Sequence, residues 1–226
     1  MNYLAHALPF VDRPYFAAGA AVPDWLAVAD RQARVRARQA ASLESDPDPR
    51  VAAVAGGILG HFRDDARFHG TRAFAETSLE LAAAARRVLG PDAGFRASFL
   101  GHLLVELLLD AQLAAEYPAS LETYYAAIES VDPRIVQDAV NRMAARPTER
   151  LAPMISLFCR ERILWDYLED DKLLVRLNQV MRRVGFAPLP ESIVGVFPDA
   201  RQLIRRRRHE LWEGIPVKMA QEGAVQ

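Results

Sequence analysis

Apolar residues recur along most of this chain at intervals of three and four, and no segment alternates convincingly between apolar and polar residues. The pattern predicts an all-α protein. The predicted helices cover residues 15–30, with an interruption near Pro23, and then 31–43, 50–69, 95–117, 119–130, 133–145, 150–169, 171–184 and 199–213.

Turn-forming residues separate several of these helices. SDPDPR at 45–50 reads as a loop, and Asp48 stands where its side chain would cap the helix that follows. GPDAG at 90–94 reads as a turn before the longest apolar helix. Because the chain has no repeat and no change of composition, we expect one domain over residues 1–213 and a C-terminal tail over 214–226.

Composition narrows the classes of protein that the chain fits. Its 226 residues are 51% apolar and 25% charged, and the net charge of -1 provides no general attraction to nucleic acid or membranes. The single cysteine excludes an internal disulfide and a cysteine-based zinc cluster. The N-terminus lacks the basic start of a signal peptide, and no apolar stretch predicts a membrane span. We therefore expect a cytoplasmic protein.

The stretch GHFRDDARFH, within the predicted helix 50–69, carries potential metal ligands at helical spacing. His61, Asp65 and His69 follow one another at four-residue steps, which stack side chains on one face of a helix. Asp64 falls off this stripe and is expected at the surface. His69 has a second interpretation, as a residue near the helix C-terminus that interacts favourably with the helix dipole.

A second stripe lies in the apolar sequence LGHLLVELLLDAQL, where His102, Glu106 and Asp110 are also four residues apart. A carboxylate buried without a partner costs several kcal/mol or becomes protonated. A bound cation would remove this cost and the repulsion between the two carboxylates. An arginine such as Arg96 would serve as well, so an ordinary ion pair remains an alternative.

The two stripes together favour a metal site between helices. Imidazole and carboxylate ligands suit zinc, iron or manganese, and two such helices can hold a dinuclear centre. We expect donor atoms of His61 and Asp65 to converge with those of His102 or Glu106 on a common ion. His209, in RRRRHELW, is expected to be a solvated surface residue.

The segments MNYLAH, GAAVPDWL and GILGHFRDDARFH resemble the N-terminal half of acyl carrier protein phosphodiesterases, and weaker likeness continues to RRRRHELWEGIPVKM. The resemblance implies a fold like that of the histidine–aspartate hydrolases and release of 4'-phosphopantetheine from a carrier protein. It puts His6, Asp24, His61 and Asp65 on the motif positions of the family, with His69 in place of a second aspartate. The histidine that follows the second acid in the family is replaced by Ala111, and His102 lies one turn before Glu106. His102 and Glu106 also resemble ligands of zinc-dependent phospholipases C.

These observations predict metal-assisted hydrolysis of a phosphodiester. Asp110 would be a ligand or the base, Arg63 or Arg67 would neutralise the phosphate, and an acidic acyl carrier protein is a candidate partner. Its steering would fall to Arg31, Arg34 and Arg38 or to the cluster at 205–208. Two alternatives remain open, a helical scaffold without activity and a module that binds acidic partners. The expected metal ligands are His6, Asp24, His61, Asp65, His69, His102 and Glu106.

Overall fold

The regular structure of the chain is helical, which confirms the predicted all-α class. The structure is a computed structural model that describes residues 2–212, so the predicted tail over 214–226 lies outside the described residues. Within residues 2–212 the β-structure is limited to one isolated bridge, between Val35 and Ala144. The α-helices are α1 (Tyr3–Ala7), α2 (Pro14–Ala29), α3 (Ala37–Ala41), α4 (Pro49–His69), α5 (Arg72–Leu89), α6 (Gly94–Glu116), α7 (Ser120–Glu129), α8 (Pro133–Met143), α9 (Leu151–Glu161), α10 (Asp170–Arg183) and α11 (Phe197–Leu211).

Contacts divide the chain into two compact units, each built from segments that are distant in sequence. The first unit contains the described residues of Met1–Ala5, Arg63–Glu122 and Leu157–Glu213. The second contains His6–Phe62 and Thr123–Ser156. One boundary falls within α1 and another within α4.

In the first unit the apolar helix α6 packs against α5 and α11. Gly101 permits the close approach of α5, because a Cβ atom at this position would lie 2.9 Å from the Cβ atom of Ala82 and 2.7 Å from its backbone nitrogen. By length and composition α6 is long and apolar enough to cross a membrane, with a mean hydropathy of 1.3 over its most apolar window. Since 72% of that window is buried, the same helix also fits the core of a folded unit.

In the second unit α2 and α4 approach closely where glycines replace side chains. A Cβ atom on Gly57 would collide with the backbone of α2 at Phe16 and Ala20, and one on Gly19 would collide with Val54. The contact at Gly57 lies one turn before His61 on α4. The small residues therefore allow His61 to approach the backbone of α2.

The extents of three helices differ from the prediction. Pro23 lies inside α2 and does not interrupt it. The helix predicted over 31–43 is only α3, because the backbone before it pairs with another segment: Ala145 N–H donates to Arg34 C=O at 3.1 Å, beside the bridge from Val35. The helix predicted over 150–169 ends at Glu161, since Arg162 has a φ of 45° and a 3-10 helix follows.

Helix α5 was absent from the prediction. Its buried face contains Phe74 and Leu81 together with Ala73, Ala82 and Ala85, so the apolar spacing of a helix is present in the sequence. Its N-terminal signal is present in the sequence, because the Thr71 hydroxyl accepts a hydrogen bond from Phe74 N–H at 3.1 Å. The predicted cap of α4 is confirmed, since the Asp48 carboxylate accepts from Arg50 N–H at 2.9 Å.

Candidate metal centre

Two histidines and a glutamate converge inside the first unit. The His69 Nε2 atom lies 2.9 Å from Glu106 Oε1, and the His102 Nε2 atom lies 3.2 Å from the same oxygen. One potential ligand atom from each of the three residues lies within 4.8 Å of the other two. His69 is the last residue of α4, and the other two are one turn apart on α6.

Aromatic contacts hold the two imidazoles in place. Phe74 presents a T-shaped contact to His69 and another to His102, with ring centroids 4.7 and 4.9 Å apart. The two imidazole rings lie 4.8 Å apart and are tilted by 33°. Phe74 belongs to α5, so its part in the site was missed along with that helix. The signal that could have revealed it was the cap at Thr71.

The electrostatics of Glu106 favour a charged carboxylate. Burial raises the pKa of this group, but hydrogen bonds from His102 and His69 lower it to about 2. Glu106 is therefore ionised at neutral pH and accepts from both imidazoles. Two imidazoles and one carboxylate form a ligand set that suits zinc, iron or manganese. A bound ion would take the place of the protons that the Nε2 atoms now donate.

The second unit contains a buried histidine pair. The rings of His6 and His61 stack with centroids 4.1 Å apart, and the two residues are only 2% and 4% exposed. His61 Nδ1 lies 2.9 Å from the carbonyl oxygen of Ala20, and because a carbonyl oxygen can only accept, Nδ1–H donates this hydrogen bond. The two imidazoles form the second histidine set, and Asp65 lies one turn beyond His61 on α4.

The predicted ligands thus fall into two sets instead of one. The residue of α4 that meets His102 and Glu106 is His69, whereas His61 pairs with His6 and has Asp65 one turn further along α4. His61 and His69 are eight residues apart on one helix, a rise of about 12 Å. This separation is too large for both residues to bind one ion at the usual distance of about 2 Å.

Asp110 occupies a different position from the predicted one. It is 2% exposed, and its two carboxylate oxygens accept from Leu4 N–H at 2.9 Å and Ala5 N–H at 2.8 Å. Asp110 therefore holds the first turn of α1, the helix that contains His6. These two bonds account for a buried carboxylate without a metal ion.

Arg63 and Arg67, the predicted phosphate-binding residues, are both exposed. The Arg63 Nε atom lies 3.4 Å from Asp64 Oδ1. The prediction that Asp64 is at the surface is wrong, because this residue is 6% exposed. It lies three residues after His61 and four before Phe68, which are both buried, and this spacing puts it on the buried face of α4.

Two further residues complete the comparison with the sequence. Asp24 is half-buried on α2 and belongs to neither set of potential ligands within residues 2–212. His209 is exposed on α11, as predicted, and its Nδ1 atom lies 3.0 Å from Arg208 Nη1. Asp24 and Asp110 are thus the candidate ligands that the described structure leaves outside both sets.

Comparison with known proteins adds no relative. No protein-family model, no curated protein and no solved structure matches the chain. The geometry of the two histidine sets is consequently what supports a functional proposal.

Proposed function

We propose that this protein is a metal-dependent phosphodiester hydrolase. The observation that carries the proposal is the convergence of His69, His102 and Glu106 on one point, with the two Nε2 atoms 2.9 and 3.2 Å from the same carboxylate oxygen. Two imidazoles and one carboxylate are the minimum protein ligand set of many hydrolytic metal sites, which keep the remaining positions for water and substrate.

The side chains around this point have the properties that the reaction needs. A divalent ion such as zinc, manganese or iron would polarise a phosphoryl oxygen and lower the pKa of a bound water. The ionised Glu106 would balance part of the charge, and its side chain is only 16% exposed. His69 and His102 are 31% and 43% exposed, which leaves the site open to a substrate from solvent.

His6 and His61 would hold a second ion, and Asp65 lies one turn beyond His61 on α4. The hydrogen bond from His61 Nδ1 to Ala20 orients the ring and leaves Nε2 as the ligand atom, an arrangement common among metal-binding histidines. This pair is more deeply buried than His69 and His102, so we assign the open site to the substrate and the buried one to a supporting ion.

The resemblance to acyl carrier protein phosphodiesterases supplies the first substrate to test, the phosphodiester between 4'-phosphopantetheine and a serine of the carrier protein. Such carriers are acidic, and exposed arginines of the second unit would attract them. Arg34 belongs to this group, and the bridge from Val35 to Ala144 brings Arg146 close to it in the fold. The zinc-dependent phospholipases C supply the alternative, a lipid phosphodiester.

The test is hydrolysis of bis(p-nitrophenyl) phosphate by protein that has been stripped of metal and reloaded with zinc, manganese or iron(II). We expect turnover only with metal, and at least a 100-fold lower rate in His102→Asn. His209→Asn is the matched control, because His209 lies outside both sets. Protein that binds no metal would overturn the proposal and favour the inactive scaffold. Metal binding with equal rates in both variants would move the reaction away from His102.

A further inference from the structure

An apolar groove on the surface of the first unit includes His102 in its lining. Helices α5 and α6 form its walls, and its volume is about 580 Å³, within the range of small-molecule sites. Its principal lining residues are Ala75, Leu79, Ala82, Phe95, Phe99 and His102. His102 is the only titratable residue of the lining, and it is also a member of the set with His69 and Glu106.

The groove exposes apolar side chains to an unusual degree. Phe95 is 73% exposed and Leu79 is 70% exposed, the two highest values among the large apolar residues that the structure describes. Large apolar side chains that are this exposed and share one surface mark a binding surface more often than isolated ones do. Phe186 extends the apolar surface, with its ring centroid 5.6 Å from that of Phe99.

The shape of the groove selects the kind of occupant. On α6 the lining residues recur from Phe95 to His102, two turns apart, and on α5 they recur from Ala75 to Ala82, also two turns apart. Each stripe is about 10 Å long. The two stripes lie on neighbouring helices, and apart from His102 their residues are apolar or serine, so the lining carries no other titratable group. A linear aliphatic chain fits this form, and its polar end would lie at His102.

We propose that the open histidine set acts on a small amphiphilic phosphodiester whose aliphatic chain lies in the groove between α5 and α6. The proposal rests on the proposed function and specifies its substrate class. The continuity that supports it is His102, which lines the groove and contacts Glu106 at 3.2 Å. Because His102 belongs to both, an aliphatic chain attached to a phosphate at this histidine set could enter the groove.

Equilibrium binding tests the groove without requiring that the protein hydrolyse anything. Decyl phosphate and methyl phosphate, each below its micelle concentration, are titrated into zinc-loaded protein by calorimetry. We expect decyl phosphate to bind at least tenfold more tightly, because each methylene removed from water contributes up to about fourfold, equivalent to ~0.8 kcal/mol. Equal affinities for the two phosphates would overturn the proposal.

Substitutions in the groove test whether the aliphatic chain of decyl phosphate binds there. Leu79→Ser and Phe95→Ser should each weaken decyl phosphate binding at least threefold and leave methyl phosphate unchanged. Ser98→Trp, which fills the groove from an exposed position, should weaken it at least tenfold. Val175→Ser is the matched control, since Val175 is 54% exposed on α10 and lies outside the groove. If the groove variants change self-association or vesicle binding but not decyl phosphate binding, another partner covers this surface and the proposal fails.

Hydrolysis rates test separately whether the protein is a hydrolase and whether the groove binds the aliphatic part of its substrate. The substrates are p-nitrophenyl methyl phosphate and p-nitrophenyl decyl phosphate, and we expect kcat/KM to be at least tenfold higher for the decyl ester in wild type and reduced in Leu79→Ser. Turnover of both esters at equal kcat/KM would overturn the proposal that the groove binds the aliphatic chain, and it would leave the proposed hydrolase function standing. Tight binding of decyl phosphate without turnover of either ester would overturn the proposed hydrolase function. The occupant of the groove would then not be a substrate, and this proposal would fail as well.

Discussion

Glu106 is the residue on which the open histidine set depends. Its carboxylate accepts from His69 and His102, and these bonds outweigh the effect of burial and lower its pKa to about 2. A charged carboxylate between two imidazoles has the composition of a metal site, but it is also a complete hydrogen-bonded network. Replacement of its charge at constant shape separates these two roles.

We expect Glu106→Gln to lower metal affinity at the open site at least tenfold, because the amide cannot balance the charge of a divalent ion. The measurement is competition with a chromogenic chelator under conditions that resolve two sites. Glu80→Gln is the control, since Glu80 has a side chain that is 54% exposed in the same unit. Unchanged affinity in Glu106→Gln would assign Glu106 to the hydrogen-bonded network alone.

Asp110 allows a second discrimination at this scale, between a catalytic and a structural carboxylate. Because its oxygens accept from two backbone N–H groups, Asp110→Asn would leave one of them without an acceptor. We expect a loss of about 1–3 kcal/mol in the free energy of unfolding, measured by chemical denaturation. The exposed Asp138→Asn should have no effect. A variant with normal stability and no hydrolysis would restore Asp110 to the reaction.

At the scale of the element, α4 carries ligands of both sets, and its N-terminus is held by Asp48. The hydrogen bond from the Arg50 side chain lowers the pKa of Asp48 to about 2, aided by Arg50 N–H. A folded-state pKa below the usual 3.8 stabilises the protein above that pH. The contribution is lost as the pH falls through the folded-state value.

Because the pKa of Asp48 is lower in the folded state, the effect of removing this cap should depend on pH. We expect Asp48→Ala to lower Tm by about 2–4 °C at pH 7, the usual effect of a lost cap in a chain of this size. The difference in Tm between wild type and variant should shrink as the pH is lowered from 5 towards 2, because the carboxylate of Asp48 becomes increasingly protonated over this range. Thermal unfolding followed by circular dichroism at several pH values measures it. A difference that does not depend on pH would show that the charge of Asp48 is irrelevant to the cap.

At the scale of the whole molecule, metal binding should appear as stability. An ion that binds only the native state at 100 times its dissociation constant contributes about 2.7 kcal/mol. We therefore expect removal of metal by a chelator to lower Tm by about 5–10 °C, with recovery on addition of zinc. The double variant His102→Asn and His61→Asn should show no shift in either direction. An equal shift in that variant would mean that the ion binds elsewhere.

Much of the fold follows from local sequence. The ends of α4 and α6 were predicted to within a residue or so, because Asp48 and the turn at 90–94 are local signals. Helix α5 was not predicted, although its cap at Thr71 and the apolar residues of its buried face, Phe74 and Leu81, are present in the sequence. The shortening of 31–43 to α3 came from pairing with residues 144–145, a contact more than 100 residues away in sequence.

The same division applies to the candidate site. The sequence alone determined that His61, Asp65 and His69 share one face of a helix and that His102 and Glu106 share another, because four-residue spacing is a property of the helix itself. Only the tertiary structure decided which faces meet. It paired Glu106 with His69, closed Asp110 onto the first turn of α1 and exposed Leu79 and Phe95 beside His102. Contacts between helices depend on packing over the whole unit, and helical spacing carries no information about them.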